Sequence, residues 1–158
     1  HLGGGALLDV GIYPLSLASM LLGAPTRITG LAHLGETGVD EQSAFILGYA
    51  DGQLAILSAA VRTETAQEAV LMGTAGRIHI HSPWWRAKAL TLIVDGKKTT
   101  MRRPYKGNGY CHEALEVMDC LRAGRRESDG MPLDETLAIM RTMDAVRAQW
   151  GLRYPMEG

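Results

Sequence analysis

Residues 43–61 read Ser43-Ala44-Phe45-Ile46-Leu47-Gly48-Tyr49-Ala50-Asp51-Gly52-Gln53-Leu54-Ala55-Ile56-Leu57-Ser58-Ala59-Ala60-Val61: two apolar runs around Asp51-Gly52. Each run is short for a helix and long enough for a strand. Asp and Gly both tolerate positive φ, so the dipeptide between them signals a hairpin. Strands joined by such turns are antiparallel. Working outward, the same alternation of short runs and turn residues predicts strands near 27–34, 43–50, 53–61, 66–73, 76–81, 88–95 and 98–103, with a second hairpin signal at Asp95-Gly96. No helical crossover separates these runs, which excludes a parallel doubly wound sheet.

Helical patterns flank the strands. Residues 6–22 (ALLDVGIYPLSLASMLL) carry one charge, so a helix there must be buried on nearly all sides or covered by another domain. Gly23-Ala24-Pro25 ends it. In 111–123, Ala114, Leu115, Met118 and Leu121 share one face, and Gly124 supplies the stop. A last helix starts after Pro132, with Asp134 and Glu135 in its first turn, and runs to Trp150-Gly151. Leu133, Leu137, Met140, Ile139, Met143, Val146 and Trp150 give it a broad apolar side. The fold class is α+β: an open, mostly antiparallel sheet with helices covering one face, in a single domain over residues 1–158. Apolar residues stand on both faces of several strands (Ala44 to Leu47, Ala55 to Leu57), which predicts a sheet buried on both sides. With helices on one face, a second copy of the chain is expected on the other, making a homo-oligomer.

Composition narrows the function. The 158 residues are 46% hydrophobic and 21% charged, a globular balance rather than a disordered one. Sixteen basic against 17 acidic side chains give a net charge of −1, which argues against coating nucleic acid or an anionic membrane. No apolar stretch reaches spanning length and no basic leader opens the chain. Cys111 and Cys120 are nine residues apart, on opposite faces of a helix, and two free thiols fit a reducing cytoplasm. The chain opens His1-Leu2-Gly3 without an initiator Met and reads as a piece of something longer.

The first helix holds the chemistry. Asp9 and Tyr13 are four residues apart, so their side chains lie one turn apart on one face, which Ser16 and Met20 continue. A carboxylate in an apolar helix either meets a cation or hydroxyl from elsewhere or faces a wet cleft. A phenol beside it serves as a proton donor or acceptor once a nearby positive charge lowers its pKa from about 10. Spacing alone also accommodates a structural reading, with Asp9 as a cap or ion-pair partner and Tyr13 as core filler. Pro14 withdraws the backbone hydrogen bond to the Val10 carbonyl beside Tyr13. Gly3-Gly4-Gly5 lets the backbone approach a ligand or a packed domain closely, or connects flexibly. It is not a dinucleotide fingerprint, because the third glycine and the preceding strand are missing. His79 and His81 share a strand face without a third metal ligand at motif spacing, and Trp84-Trp85 read as packing. Tyr110 and His112 border a flexible turn, and no nucleophilic triad or basic–aromatic pattern stands out.

The stretch Gly3-Gly4-Gly5-Ala6-Leu7-Leu8-Asp9-Val10-Gly11-Ile12-Tyr13 resembles the Gfo/Idh/MocA oxidoreductases, and within them the branch of dimeric dihydrodiol and xylose dehydrogenases. Gly73-Thr74-Ala75-Gly76-Arg77-Ile78 and the segment from Met131-Pro132-Leu133-Asp134 to Trp150-Gly151-Leu152 agree with it in the same order. The resemblance covers the C-terminal half of such a protein. It implies a full-length enzyme whose N-terminal Rossmann domain binds NAD or NADP, and which oxidises a hydroxyl of a sugar, polyol or diol, or runs the reverse. It places the acid/base on Tyr13 and a substrate-orienting or phenol-tuning carboxylate on Asp9. The family's Rossmann glycines and its Glu-Lys-Pro motif do not occur among these residues. No cofactor binding and no turnover are therefore expected of the 158 residues alone. The competing expectation is a non-enzymatic homo-oligomerising or ligand-binding module of the same fold.

Overall fold

The computed structural model describes residues 4–105, 107–154 and 157; His1, Leu2 and Gly3 lie outside them. A π-helical turn, Leu7–Gly11, leads into α1, Ile12–Leu22. Seven strands follow: β1 Arg27–Leu34, β2 Asp40–Gly48, β3 Leu54–Ala60, β4 Ala69–Gly73, β5 Gly76–Ile80, β6 Ala89–Val94 and β7 Lys97–Arg102. Two helices, α2 Cys111–Arg122 and α3 Leu133–Ala148, close the chain. Every expected strand is present, every pairing is antiparallel, and the α+β class holds.

One expectation about the sheet fails. The strands do not form a single meander: β1-β2-β3 make one sheet and β4-β5-β6-β7 another. Residues 61–68 carry the reason. Val61 still donates to the Glu41 carbonyl, but Gln67 adopts a positive φ of 53°, and no ladder joins β3 to β4. The chain accordingly forms two compact units, one from the residues up to Glu64 with those from Gly130 onward, the other Thr65–Asp129.

In the first unit, burial alternates along the strands. Phe45, Leu47 and Ala59 are buried and Ile28, Ala55 and Leu57 partly so, on the face packed against Leu7, Leu15 and Ala18 from the first helix and Ile139, Met143 and Val146 from α3. Burying each large side chain among these contributes about 1.5–3 kcal/mol. Gly30 makes the close packing of β1 on β2 possible, because a Cβ there would come within 2.6 Å of the Phe45 Cβ. The Gln149 side chain finishes the free edge of β1, accepting from Gly30 N at 3.1 Å and donating to Ile28 O at 3.0 Å. The opposite face is open within the chain: Leu31 is 82% and Ile56 76% exposed, with Ile46 and Leu54 beside them.

The two Asp-Gly turns differ. Asp95 and Gly96 have φ of 49° and 74°, as a two-residue hairpin turn requires. At Asp51-Gly52 only Gly52 is left-handed, and the loop is longer: Gly52 N donates to Tyr49 O, and Tyr49 N to Gln53 O.

In the second unit, β4–β7 pair in simple succession and carry a polar chain on one face. Glu68 Oε2 lies 3.1 Å from His79 Nε2, the His79 and His81 rings are 4.7 Å apart, and His81 Nε2 meets Thr91 Oγ1, itself bonded to Thr100 Oγ1. The expected apolar face of α2 does not cover a sheet, since Leu115, Met118 and Leu121 are exposed. What α2 buries is Cys120, whose thiol bonds Glu116, while Ser128 donates to the same carboxylate at 2.7 Å. Cys111 is exposed, and neither cysteine is in a disulfide. No helix among the described residues is long and apolar enough to cross a membrane.

Candidate functional site

The glycine-rich stretch and the helix it opens carry the site. Ala6 and Leu7 are fully buried, and Gly11 packs against β3, where a Cβ would stand 3.4 Å from Ala59 Cβ and 3.1 Å from Leu7 Cδ1. A methyl group at Gly11 would reach Ala59 at ordinary contact and press on the Leu7 side chain, so a larger side chain has no room there. The expected continuous α-helix over 6–22 is corrected here, because its first turn is wound wide as a π-helix. Pro14 lies one turn on and has no N–H for the Val10 carbonyl, which favours departure from regular α winding at this point. Such turns concentrate at functional positions.

Asp9 lies in this turn and Tyr13 in the first turn of α1. Asp9 is exposed and Tyr13 is 50% exposed, on the side turned away from the buried Leu7, Gly11, Leu15 and Ala18. Ser16 is half-buried and Met20 is exposed, so the polar pair continues into an uncovered apolar strip. Burial of the first helix on nearly all sides is not observed. Asp9 is exposed rather than enclosed among the described residues. Two shallow pockets, one lined by Leu15, Ser19, Leu47, Tyr49 and Ile139 and the other beside Cys120 on α2, do not include the pair. The pair has an open aspect rather than a closed pocket.

Under the turn lie groups that the sequence did not signal. Asp40, at the start of β2, has no exposed surface, and its Oδ2 accepts the Leu7 N–H at 2.7 Å. Burial raises its pKa above the ordinary carboxylate value, and the Leu7 hydrogen bond opposes the rise. Tyr154, from the C-terminal tail, donates its hydroxyl to the Gly4 carbonyl at 3.1 Å. Burial, with the Asp40 charge second, pushes that phenol upward as well. Arg147 stacks over the Tyr154 ring at 5.1 Å and grips Glu157, holding that carboxyl down at about 2.

Asp40 escaped sequence reading because of a bulge. Along β2 the odd positions Ser43, Phe45 and Leu47 point inward, so plain alternation turns Asp40 outward. Gln42 pairs with His33 and Asp40 with Leu34, leaving Glu41 as an extra residue that reverses the parity.

The other candidates belong to the second unit. No group of three His, Cys, Asp or Glu among the described residues fits a metal ion, so His79 and His81 remain part of the polar chain on their sheet. Trp84 and Trp85 stack edge to face at 6.0 Å, and Trp85 is 45% exposed. Tyr110 and His112 are exposed at the start of α2.

A dinucleotide does not fit the glycines here. The space over Gly5 holds the Asp40 carboxylate, where a phosphate would meet a like charge.

The chain is thus an α+β protein of antiparallel sheets and helices, with an exposed carboxylate and phenol at a glycine-rich helix start. Residues 1–79 match the GFO/IDH/MocA C-terminal domain model, and the chain belongs to that family. It is 35% identical over 165 residues to a trans-1,2-dihydrobenzene-1,2-diol dehydrogenase of Xenopus tropicalis, covering 98% of this chain and 49% of the relative. Among solved structures it is similar to a mutant of KijD10, a 3-ketoreductase from Actinomadura kijaniata in complex with TDP-benzene and NADP (TM-score 0.78, 19% identity, 93% of this chain and 48% of that one). It is also similar to an aldose-aldose oxidoreductase from Caulobacter crescentus complexed with glycerol (TM-score 0.76, 21% identity, 92% and 45%). The chain spans about half the length of the curated relatives it matches.

Proposed function

We propose that these residues form the substrate-binding and catalytic half of an NAD- or NADP-dependent oxidoreductase that oxidises a hydroxyl of a sugar, polyol or diol, or runs the reverse reduction. The observation that carries this reading is the exposed Asp9–Tyr13 pair at the opening of a helix whose outer side is otherwise apolar. Tyr13 Oη takes the proton of the substrate hydroxyl in the oxidative direction and returns it in the reductive one. Asp9 binds a neighbouring substrate hydroxyl or orients the phenol. Hydride exchange belongs to the nicotinamide, which is held outside these residues. The relatives support the substrate class: their names specify a diol and sugars.

The same reading treats residues 1–158 as one substrate-binding and oligomerisation domain, supported by a match to the dihydrodiol dehydrogenase running through 98% of the chain. The open face of β1-β2-β3 receives a second copy. Tyr13, Met20 and their neighbours receive the nicotinamide-binding domain. The lack of a disulfide between Cys111 and Cys120 supports a cytoplasmic setting.

The deciding experiment is Tyr13→Phe in the full-length protein, assayed against a panel of sugars, polyols and diols. A fall in kcat of about 10²- to 10⁴-fold with substrate KM little changed is expected; an unchanged kcat overturns the assignment. NADPH fluorescence titration of the isolated 158 residues is expected to show no micromolar binding.

A further inference from the structure

We infer that Asp40 is a positioning residue for the Asp9–Tyr13 turn, acting through the backbone of Gly5 and Leu7. The first N–H groups of a helix have no partner within it, and Ala6, which precedes the turn, has no side chain to cap them. Asp40 supplies the missing acceptor from another element, 33 residues away in sequence, through the 2.7 Å bond to Leu7 N. A negative charge at this end also suits the helix dipole.

A second observation fixes the approach from the other side. Gly5 has φ of +103°, and a Cβ on it would collide with Asp40 Oδ1 and stand 3.1 Å from Asp40 O. The carboxylate therefore fills the space left by the missing side chain, and the glycine is the condition for its seat. That same Oδ1 is buried without a hydrogen-bond partner among the other described residues. An asparagine would cap Leu7 without enclosing a charge, so a carboxylate here is a poor device for stability alone. Its geometric effect is specific. Asp40 grips Leu7, and Tyr154 grips Gly4, with Gly5 between them. Asp9 stands two residues beyond Leu7, and Asp9 N donates to Gly5 O at 3.2 Å, so the height of the turn over β2 sets where the exposed pair stands.

This inference rests on the proposed role of Tyr13 for its catalytic consequence but not for the clamp itself, and two readouts in the full-length protein separate them. Hydrogen exchange reads the clamp. In Asp40→Ala, amides of Leu7–Gly11 are expected to exchange at least tenfold faster, with those of β2 and β3 little changed. Steady-state kinetics read the consequence: kcat falls at least tenfold, the cofactor KM stays within twofold, and Asp40→Asn, which keeps an acceptor, recovers kcat to within about threefold. In a Tyr13→Phe background Asp40→Ala is expected to add less than twofold. If Asp40→Ala fails to accumulate, Asp40→Ser, whose hydroxyl is too short to reach Leu7, replaces it. Unchanged exchange at Leu7–Gly11 overturns the clamp. Faster exchange with unchanged kcat overturns the positioning role, provided Tyr13→Phe is itself impaired. An unimpaired Tyr13→Phe overturns the catalytic reading alone and leaves the clamp to the exchange result.

Discussion

The two sheets are built from similar sequence and end in different states. In β1-β2-β3, Phe45 and Leu47 are 1% exposed beneath two helices. Among the described residues from Thr65 to Asp129, only Thr91 and Cys120 are buried, although Leu71, Ile78, Ile80, Leu90 and Leu92 alternate just as regularly. Strand formation is a local matter of alternation and turn chemistry, and both sheets satisfy it. A core is not local. It needs an apolar stripe laid on the sheet; α3 and the first helix provide one, while α2 leaves Leu115, Met118 and Leu121 outward.

The largest consequence is energetic. Phe45→Ala removes a fully enclosed ring and is expected to cost about 3–5 kcal/mol in urea unfolding, whereas Leu92→Ala on β6 costs about 1 kcal/mol or less. Equal costs would break the contrast and place a hidden core on β4–β7. A smaller effect separates the faces within the first sheet. Ile56→Lys leaves the core untouched, so the unfolding midpoint stays within a few tenths of a kcal/mol. A self-association constant measured by light scattering should weaken about a hundredfold. A monomeric parent protein at high concentration would remove the second copy from that face.

The same division explains what could be read in advance. Seven strands, three helices and the Asp-Gly turns were legible because each depends on neighbours within a few residues. The four-residue spacing put Asp9 and Tyr13 on one side of the helix but left a wet cleft and a structural placement both open, so their exposure was not legible. The break after Val61 was not legible, since apolar alternation resumes at Ala69 with nothing to say which strand it will join. Nor was Asp40. One extra residue, Glu41, turns an outward position inward, and the carboxylate then meets a glycine more than thirty residues upstream.

The smallest effect sharpens the contrast through acid–base chemistry, because the first unit sets two carboxyls against each other. Glu157 is held at about 2 by Arg147 against an ordinary 4.5, so the unfolded chain binds its proton more readily than the folded one. Its contribution is present above about 4.5 and is lost as pH falls toward 2. Asp40 has the opposite sign. Burial raises its pKa from 3.8, so the folded state holds that proton more tightly and stability declines as pH rises from 3.8 through the raised value. Urea melts at pH 3 and pH 6 are therefore expected to respond in opposite directions. Glu157→Gln lowers stability at pH 6 more than at pH 3, and Asp40→Asn, judged against its parent, gains at pH 6 relative to pH 3. Should both variants shift the same way with pH, the Asp40 carboxyl is not enclosed as described, and the anchoring of Gly5 through it loses its physical basis.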